Sequence, residues 1–324
     1  MKLVIIGATG LVGSEIIKVL EERNIKKINE IYFVASKKNQ GKKLLFKGKT
    51  HKIISINKAL KIEPEYVLFS AGSKISIGFA KEFVKKGATV IDNSSAFRMK
   101  KNIKLIVPEI NKQILSKDDK IIANPNCSTI QMVLAIAPLY KQEKIKRIVV
   151  STYQAVVGSG RLALEQLLQE EKQLKPKNKA YKEKIHRNII PKCDSFNKDG
   201  YTKEEEKIIN ETNKILKSNI NITATAVRTP TIGGHGECVN IEFYNKIGIR
   251  KIINLLKKQE GIKVEDKNEY KTPEETRGLD NVFVSRVRKD YSVPSGINMW
   301  IVADPLRKGA ATNAVQILEH VINI

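Results

Sequence analysis

Residues 2 to 6, Lys2-Leu3-Val4-Ile5-Ile6, form a short apolar run that stops at a glycine. From Ser14 to Glu22 the apolar positions fall at Ile16, Ile17, Val19 and Leu20, a spacing that turns one helix face inward. The chain therefore opens with a β-turn-α unit. A second apolar run follows at Ile31 to Ala35, and a third at Tyr66 to Phe69 leads through Ser70-Ala71-Gly72-Ser73 into a helical pattern near Ile75 to Lys86. Short β-like runs recur at Thr89-Val90-Ile91 and Leu105-Ile106-Val107. Strands alternating with helices predict an α/β fold with a parallel, doubly wound sheet.

After Cys127 the pattern changes. A helix to about Tyr140 precedes a strongly β-forming run, Lys146 to Tyr153, and an amphipathic helix follows Gly158-Ser159-Gly160 to roughly Leu174. Residues 175 to 202 are polar, contain proline and lack a period, so they are expected to be a long surface excursion. A helix at Lys203 to Lys217, strands at Ile222 to Arg228 and Cys238 to Tyr244, a helix at Ile249 to Gln259 and strands at Val282 to Arg288 and Ile297 to Ala303 predict a mixed second domain. The last helix, Leu306 to Ile322, carries one apolar face that must dock.

Composition adds boundaries. With 324 residues the chain exceeds the roughly 250 at which a single core stops growing, so two domains are expected. No apolar run approaches the roughly 18 residues of a membrane span, and the first strand enters a glycine turn, not a signal-peptide cleavage site. A soluble, cytoplasmic protein without a membrane partner is expected. The three cysteines are odd in number and widely spaced, which argues against a disulfide framework or a zinc site, and no metal is expected. The net charge of +24 raises the question of nucleic acid, but the lysines are spread evenly, often beside glutamates, with no aromatic-interleaved basic stripe. No nucleic-acid partner is expected; a positive field would still speed the capture of small polyanions.

Gly7-Ala8-Thr9-Gly10-Leu11-Val12-Gly13 stands between a strand and a helix, where glycines let the backbone approach a pyrophosphate and the helix start supplies N–H groups. A dinucleotide site is predicted there. At the end of the second strand, Ala35-Ser36-Lys37-Lys38-Asn39-Gln40-Gly41 contains no acid to hold a ribose diol, so NADP is favoured, with Ser36 and Lys38 at the 2′-phosphate. Cys127 follows Asn124-Pro125-Asn126 at the first turn of a helix, where the dipole favours the reactive thiolate. Of the four histidines, His235 lies in Thr231-Ile232-Gly233-Gly234-His235-Gly236-Glu237, read as a loop between strands with bare backbone on both sides. That suits an acid/base group. Arg98 and Arg228, rare arginines in a lysine-rich chain, offer forks for a carboxylate or phosphate, or else structural ion pairs.

The glycine turn, Ser70-Ala71-Gly72-Ser73, Asp92-Asn93-Ser94-Ser95-Ala96-Phe97-Arg98, Asn124-Pro125-Asn126-Cys127-Ser128-Thr129-Ile130-Gln131 and Ser151-Thr152-Tyr153-Gln154-Ala155-Val156 together resemble aspartate-semialdehyde dehydrogenases of the bacterial type. Later anchors run through Tyr201-Thr202-Lys203-Glu204-Glu205-Glu206-Lys207, Val227-Arg228-Thr229-Pro230, His235, Arg286-Val287-Arg288-Lys289-Asp290 and Lys308-Gly309-Ala310-Ala311-Thr312-Asn313. The resemblance implies a fold like glyceraldehyde-3-phosphate dehydrogenase. Its Rossmann domain would be residues 1 to 126, completed by a C-terminal helix at 305 to 324, with a catalytic and dimerisation domain at 127 to 304. It implies NADPH-dependent reduction of aspartyl phosphate to the semialdehyde by a homodimer or dimer of dimers.

It also implies roles. Cys127 would form a thioester, His235 would act as acid/base and Gln154 would orient the acyl group. Arg228 would clamp the α-carboxylate and Glu204 the ammonium, while Arg98, Asn126 and Lys207 would bind phosphate. Gly7, Thr9, Gly10, Leu11, Val12, Ser36, Lys38, Ser70, Gly72, Gly158 and Asn313 would line the cofactor. Three departures stand out: Lys38 replaces a frequent arginine, Val157 a usual serine, and the 175 to 202 excursion differs in length and sequence. The nearest alternatives are an N-acetyl-γ-glutamyl-phosphate reductase, which looks different around its cysteine, and a malonyl-CoA reductase, which would need neither Glu204 for an ammonium nor Arg98 for a phosphate.

Overall fold

The computed structural model describes all 324 residues, and the chain divides into two compact units, Met1–Pro125 with Ala310–Ile324, and Asn126–Gly309. The first unit runs β1 (Lys2–Ile6), α1 (Leu11–Arg23), β2 (Glu30–Val34), β3 (Lys43–Phe46), β4 (Lys49–Lys52), α2 (Ile56–Ile62), β5 (Tyr66–Phe69), α3 (Ser73–Lys85), β6 (Thr89–Asp92), β7 (Lys104–Leu105), α4 (Pro108–Asn111) and β8 (Ile121–Ala123). The second runs α5 (Cys127–Gln142), β9 (Ile145–Gln154), α6 (Arg161–Glu171), α7 (Lys203–Leu216), β10 (Asn221–Arg228), β11 (His235–Phe243), α8 (Ile249–Lys258), β12 (Ile262–Val264), β13 (Val282–Asp290) and β14 (Gly296–Ala303). The chain then returns to the first unit as α9 (Thr312–Val321).

Six strands of the first unit form an all-parallel sheet in the order β2-β1-β5-β6-β8-β7. Leu3, Val4 and Ile5 on β1 and Val67, Leu68 and Phe69 on β5 are fully buried, as a sheet covered on both faces requires. Strand order reverses between β1 and β5, the position at which such sheets bind ligands beyond their carboxyl ends. There Gly7 has φ +87°, and a Cβ on it would stand 2.4 Å from the Ser70 carbonyl oxygen. Helix α9 places Ala314, Val315, Ile317 and Leu318 in one cluster with Leu3, Ile5, Ile16 and Leu20. Each such aliphatic side chain is worth about 1.5–3 kcal/mol buried, against about 1 kcal/mol or less for a half-exposed ion pair. Apolar burial therefore holds this helix, and the Arg23–Glu319 pair (2.6 Å) contributes little.

The second unit is a mixed sheet, β10-β9-β11-β14-β13-β12, antiparallel through its centre with parallel pairs at either edge. One face carries Thr152, Gln154, His235, Glu237, Val239 and Ile301, all buried, and α5 packs on this sheet. Helix α5 is buried all round from Ser128 to Ala137, the mark of a helix inside a core. The opposite face presents Ser151, Tyr153, Cys238 and Trp300, none of them buried.

Two sequence expectations need correction. His235 is not in a loop; it is the first residue of β11, paired with Ala303 of β14. The flanking glycines had suggested irregular backbone, but they are close-packing positions: a Cβ on Gly236 would meet Trp300 at 2.1 Å. Residues 175 to 202 contain no helix or strand of their own, yet they are more than a surface excursion. Gln166 Oε1 accepts the Ala180 and Tyr181 N–H groups, and Glu170 Oε2 those of Ile185 and His186, at 2.8–2.9 Å. Ile185 is buried with Val156, Leu167 and Ile190, and Ile190 exchanges both backbone hydrogen bonds with Arg228. Side chains from α6 satisfy backbone that a sheet or helix would otherwise satisfy, and this leaves no periodic trace.

Candidate active site

The second unit gathers most of the predicted chemical residues. Asn126 caps α5: its Oδ1 accepts the Ser128 and Thr129 N–H groups at 3.0 and 3.2 Å. Its backbone N–H donates to Glu211 Oε2 at 2.6 Å. Cys127 thus starts the helix on a backbone held from two sides, half-buried and within reach of solvent. Gly309 leaves room for it, since a Cβ there would lie 2.9 Å from the Cys127 Cβ. The other two thiols differ: burial pushes Cys193 up to about 12, and Cys238 is exposed on the outer sheet face. No disulfide is formed.

Glu204 is the hub. Its Oε1 accepts from Asn126 Nδ2 (2.8 Å) and Gln154 Nε2 (3.2 Å), and its Oε2 pairs with Lys207 at 3.1 Å. Gln154 Nε2 also donates to Ser128 Oγ at 2.9 Å. Burial opposes ionisation of Glu204, but Lys207, Asn126 and Arg228 outweigh it and hold the carboxyl below its ordinary range. Lys207 reaches Asp194 as well, at 2.8 Å, and although burial opposes its charge these two carboxylates keep it above the usual lysine value. Asp194 comes from the excursion, and so does the Ile190 strand pairing beside Arg228.

Arg228 is 4% exposed and donates through Nη1 to the Ala155 carbonyl at 2.6 Å, while its Nε has no partner and no carboxylate lies at ion-pairing distance. A buried guanidinium without a counter-ion is costly unless an anion arrives. His235, fully buried, accepts the Ala155 N–H on Nδ1 at 3.0 Å. Burial, reinforced by the Arg228 charge, pushes its pKa well below the ordinary imidazole value. A neutral ring that accepts on Nδ1 carries its proton on Nε2, so the free side of His235 offers a hydrogen-bond donor.

Gly158, expected at the cofactor, packs over that nitrogen: a Cβ would stand 2.7 Å from His235 Nε2 and 3.2 Å from Arg228 Nη1. Gly158→Ala should therefore displace the ring and lower kcat by about 10²-fold with little change in melting temperature. Steady-state kinetics with a melting curve checks this, and full activity would place the ring elsewhere.

The first unit carries the remaining predicted residues. Gly10 begins α1 with no side-chain cap on its N–H groups, and a Cβ on Gly13 would come within 2.1 Å of the Gly7 carbonyl oxygen. The turn is thus as tight as pyrophosphate approach demands, with open donors, and the residues present fit a dinucleotide. Thr9 accepts at Oγ1 from Asn39 Nδ2 (3.1 Å), a link from the phosphate turn to the loop of exposed Ser36 and Lys38. Ser70 follows β5 directly, and Gly72 (φ +82°) is the residue before α3. Arg98 is 8% exposed and donates to the Asn93 carbonyl at 2.8 Å. Asn313 is fully buried, and its Nδ2 is spent on the Ile106 carbonyl and Asn124 Oδ1, a structural use.

Sequence reasoning missed Glu211, Ser128, Asn39 and Gly309. Glu211 was the most accessible of these, because it lies seven residues after Glu204, on the same inward face of α7 as Ile208 and Ile215.

A dinucleotide turn in one unit, and in the other a helix-start thiol with an imidazole and a guanidinium both held by Ala155, are features of a dehydrogenase, the class to which the chain belongs. The signature "Semialdehyde dehydrogenase, NAD binding domain" matches residues 2–117, and "Semialdehyde dehydrogenase, dimerisation domain" matches residues 136–308. Aspartate-semialdehyde dehydrogenase of Aquifex aeolicus is 45% identical, covering 99% of this chain and 98% of that protein. The Bacillus subtilis enzyme is 41% identical over 97% and 95%. The crystal structure of aspartate semialdehyde dehydrogenase II from Vibrio cholerae superposes with a TM-score of 0.95 at 39% identity, covering 99% of this chain and 98% of that one; a second structure of it is complexed with ASA. The chain belongs to the aspartate-semialdehyde dehydrogenase family.

Proposed function

We propose that the chain catalyses NADPH-dependent reductive dephosphorylation of L-aspartyl 4-phosphate to L-aspartate 4-semialdehyde. This is the branch-point step toward lysine, diaminopimelate, methionine, threonine and isoleucine, carried out as a cytoplasmic homodimer or dimer of dimers. The observation that carries the reading is Arg228, a buried cation with no carboxylate partner, bonded to the same residue that holds His235. An amino-acid α-carboxylate is the natural counter-ion.

The Cys127 thiolate attacks the acyl carbon, the carbon–oxygen bond to phosphate breaks, and a thioester remains. Bound NADPH supplies the hydride that reduces it. His235 Nε2–H donates a hydrogen bond to the alkoxide oxygen of the thiohemiacetal so formed, in a site dry enough for one such bond to matter. That oxygen re-forms the carbonyl as the carbon–sulfur bond breaks, releasing the semialdehyde and the Cys127 thiolate. Gln154, tied to Ser128 and Glu204, orients the acyl group. The substrate ammonium shares Glu204 with Lys207. Arg98, Lys207 and the second Nδ2 hydrogen of Asn126 are assigned to phosphate on the family resemblance. Ser36 and Lys38, with no acid beside them, support NADP over NAD, although a lysine offers a point charge where a fork would be more selective. The unburied outer sheet face with Tyr153, Cys238 and Trp300 supports a subunit contact, which sedimentation equilibrium would test.

Purified protein given L-aspartate semialdehyde, inorganic phosphate and NADP or NAD at alkaline pH should reduce NADP in a phosphate-dependent way. No signal with either cofactor would move the reading to the CoA-thioester reductases. Arg228→Lys should raise KM for the semialdehyde by about 10- to 100-fold, the worth of a charge-assisted hydrogen bond. An unchanged KM would remove that arginine from the carboxylate site.

A further inference from the structure

Glu237 is fully buried on the inward face of β11, two residues from His235, opposite Thr152 on β9 and Ile301 on β14. No lysine or arginine pairs with it, and neither of its carboxyl oxygens receives a hydrogen bond. The one polar side chain that acts on it is that of Gln131 on α5. Gln131 is itself buried; its Nε2 donates to the His235 carbonyl oxygen at 3.0 Å, and its Oε1 has no donor. Two buried oxygen groups without a proton between them would each be left unsatisfied, which native interiors rarely tolerate. One proton on Glu237 satisfies both.

We propose that Glu237 is a positioning residue for His235: as a carboxylic acid it donates its O–H to Gln131 Oε1, and the amide so oriented holds the His235 carbonyl through Nε2. The Thr152 hydroxyl, also buried without a partner and directly across the strand pair, is placed to donate to the remaining Glu237 oxygen. The chain Thr152, Glu237, Gln131, His235 then has a single direction. His235 is held by its carbonyl on one side and by the Ala155 N–H on Nδ1 on the other. Burial pushes Glu237 well above the ordinary carboxyl value and outweighs the opposing effect of the Gln131 amide. The titratable group sharing its face is His235 on its own strand; α5, β9 and β14 turn toward it Gln131, Thr152 and Ile301. A neutral Glu237 also places no negative charge near His235, which would otherwise favour the imidazolium and remove the neutral donor state.

The inference rests on the role proposed for His235, so its test includes readouts independent of turnover. In the full-length enzyme, Glu237→Leu should lower kcat about tenfold, the worth of one hydrogen bond, with KM nearly unchanged. Glu237→Gln keeps a donor and should recover most of that loss. The infrared difference between the wild type and Glu237→Gln at neutral pH should contain the carbonyl band of a protonated carboxylic acid. The NMR signals of the His235 ring should move in Glu237→Leu and return in Glu237→Gln. Absence of the acid band, an unaltered Glu237→Leu enzyme, or equal damage from both substitutions would overturn the proposal. If His235→Ala kept full activity, the acid/base reading of His235 would fall, while the infrared and NMR results would still decide the Glu237–Gln131–His235 chain.

Discussion

Cys127→Ala should leave a folded protein whose turnover is lower by about 10⁴- to 10⁶-fold, the loss expected when a covalent nucleophile is removed. The fold survives because the substitution removes only a half-buried sulfur at the first turn of α5. The cap that starts the helix is Asn126, and the Glu211 bond to its N–H is untouched. Alanine is also the best helix former. Circular dichroism and a melting curve would verify the fold, and a stopped-flow trace would verify loss of the acyl burst. The remaining thiols cannot substitute: Cys193 stays protonated near neutrality, with its pKa pushed up to about 12 by burial, and Cys238 lies on the opposite sheet face. Normal turnover in this variant would remove the thioester route.

His235→Ala should cost about 10²- to 10⁴-fold in kcat. It should also change how stability depends on acid. In the folded protein the imidazole pKa lies well below its ordinary 6.5, because of burial first and Arg228 second. Between those two values the unfolded chain binds a proton that the folded chain refuses. Stability is therefore full above the unfolded pKa and falls as pH drops through the window toward the folded one. His235→Ala should flatten that acid-side decline. Glu237 acts with the opposite sign: its raised pKa makes the folded chain the better proton binder, so its contribution is full below the ordinary carboxyl value and is lost as pH rises toward the folded one. Melting temperatures across pH for His235→Ala and Glu237→Gln would separate the two slopes. A wild-type acid limb retained in His235→Ala would mean that the ring is charged in the folded state.

Much of the architecture was legible along the chain. The first strand, the glycine turn and α1 follow from an apolar run, tight-turn residues and helical spacing, all local signals. The start of α5 at Cys127 was legible for the same reason, because the proline and the helical run adjoin it, whereas the Asn126 cap emerged only in the structure. The helical start at Leu306 was read as one continuous helix, whereas Arg307–Ala311 forms a π turn before α9. The β3–β4 hairpin escaped notice because its exposed lysines interrupt the alternation that marks a strand.

The site divides along the same line. Residue types and local spacing were enough to nominate Cys127, His235 and Arg228, since a thiol at a helix start or an arginine at a strand end is a property of a few consecutive residues, whereas Glu204 was named only through the family resemblance. Only the tertiary structure decided how these groups are held. Glu211 binds the Asn126 N–H from 85 residues away, Glu170 organises the excursion that carries Asp194 to Lys207, and Gly158 makes room for the His235 ring. It also decided which nitrogen of His235 bears the proton and that Glu237 keeps its own. Periodicity reveals which face of a strand or helix turns inward. What stands opposite that face, and whether it offers a donor, a charge or only carbon, depends on long-range packing, and that packing sets protonation and geometry in the dry interior.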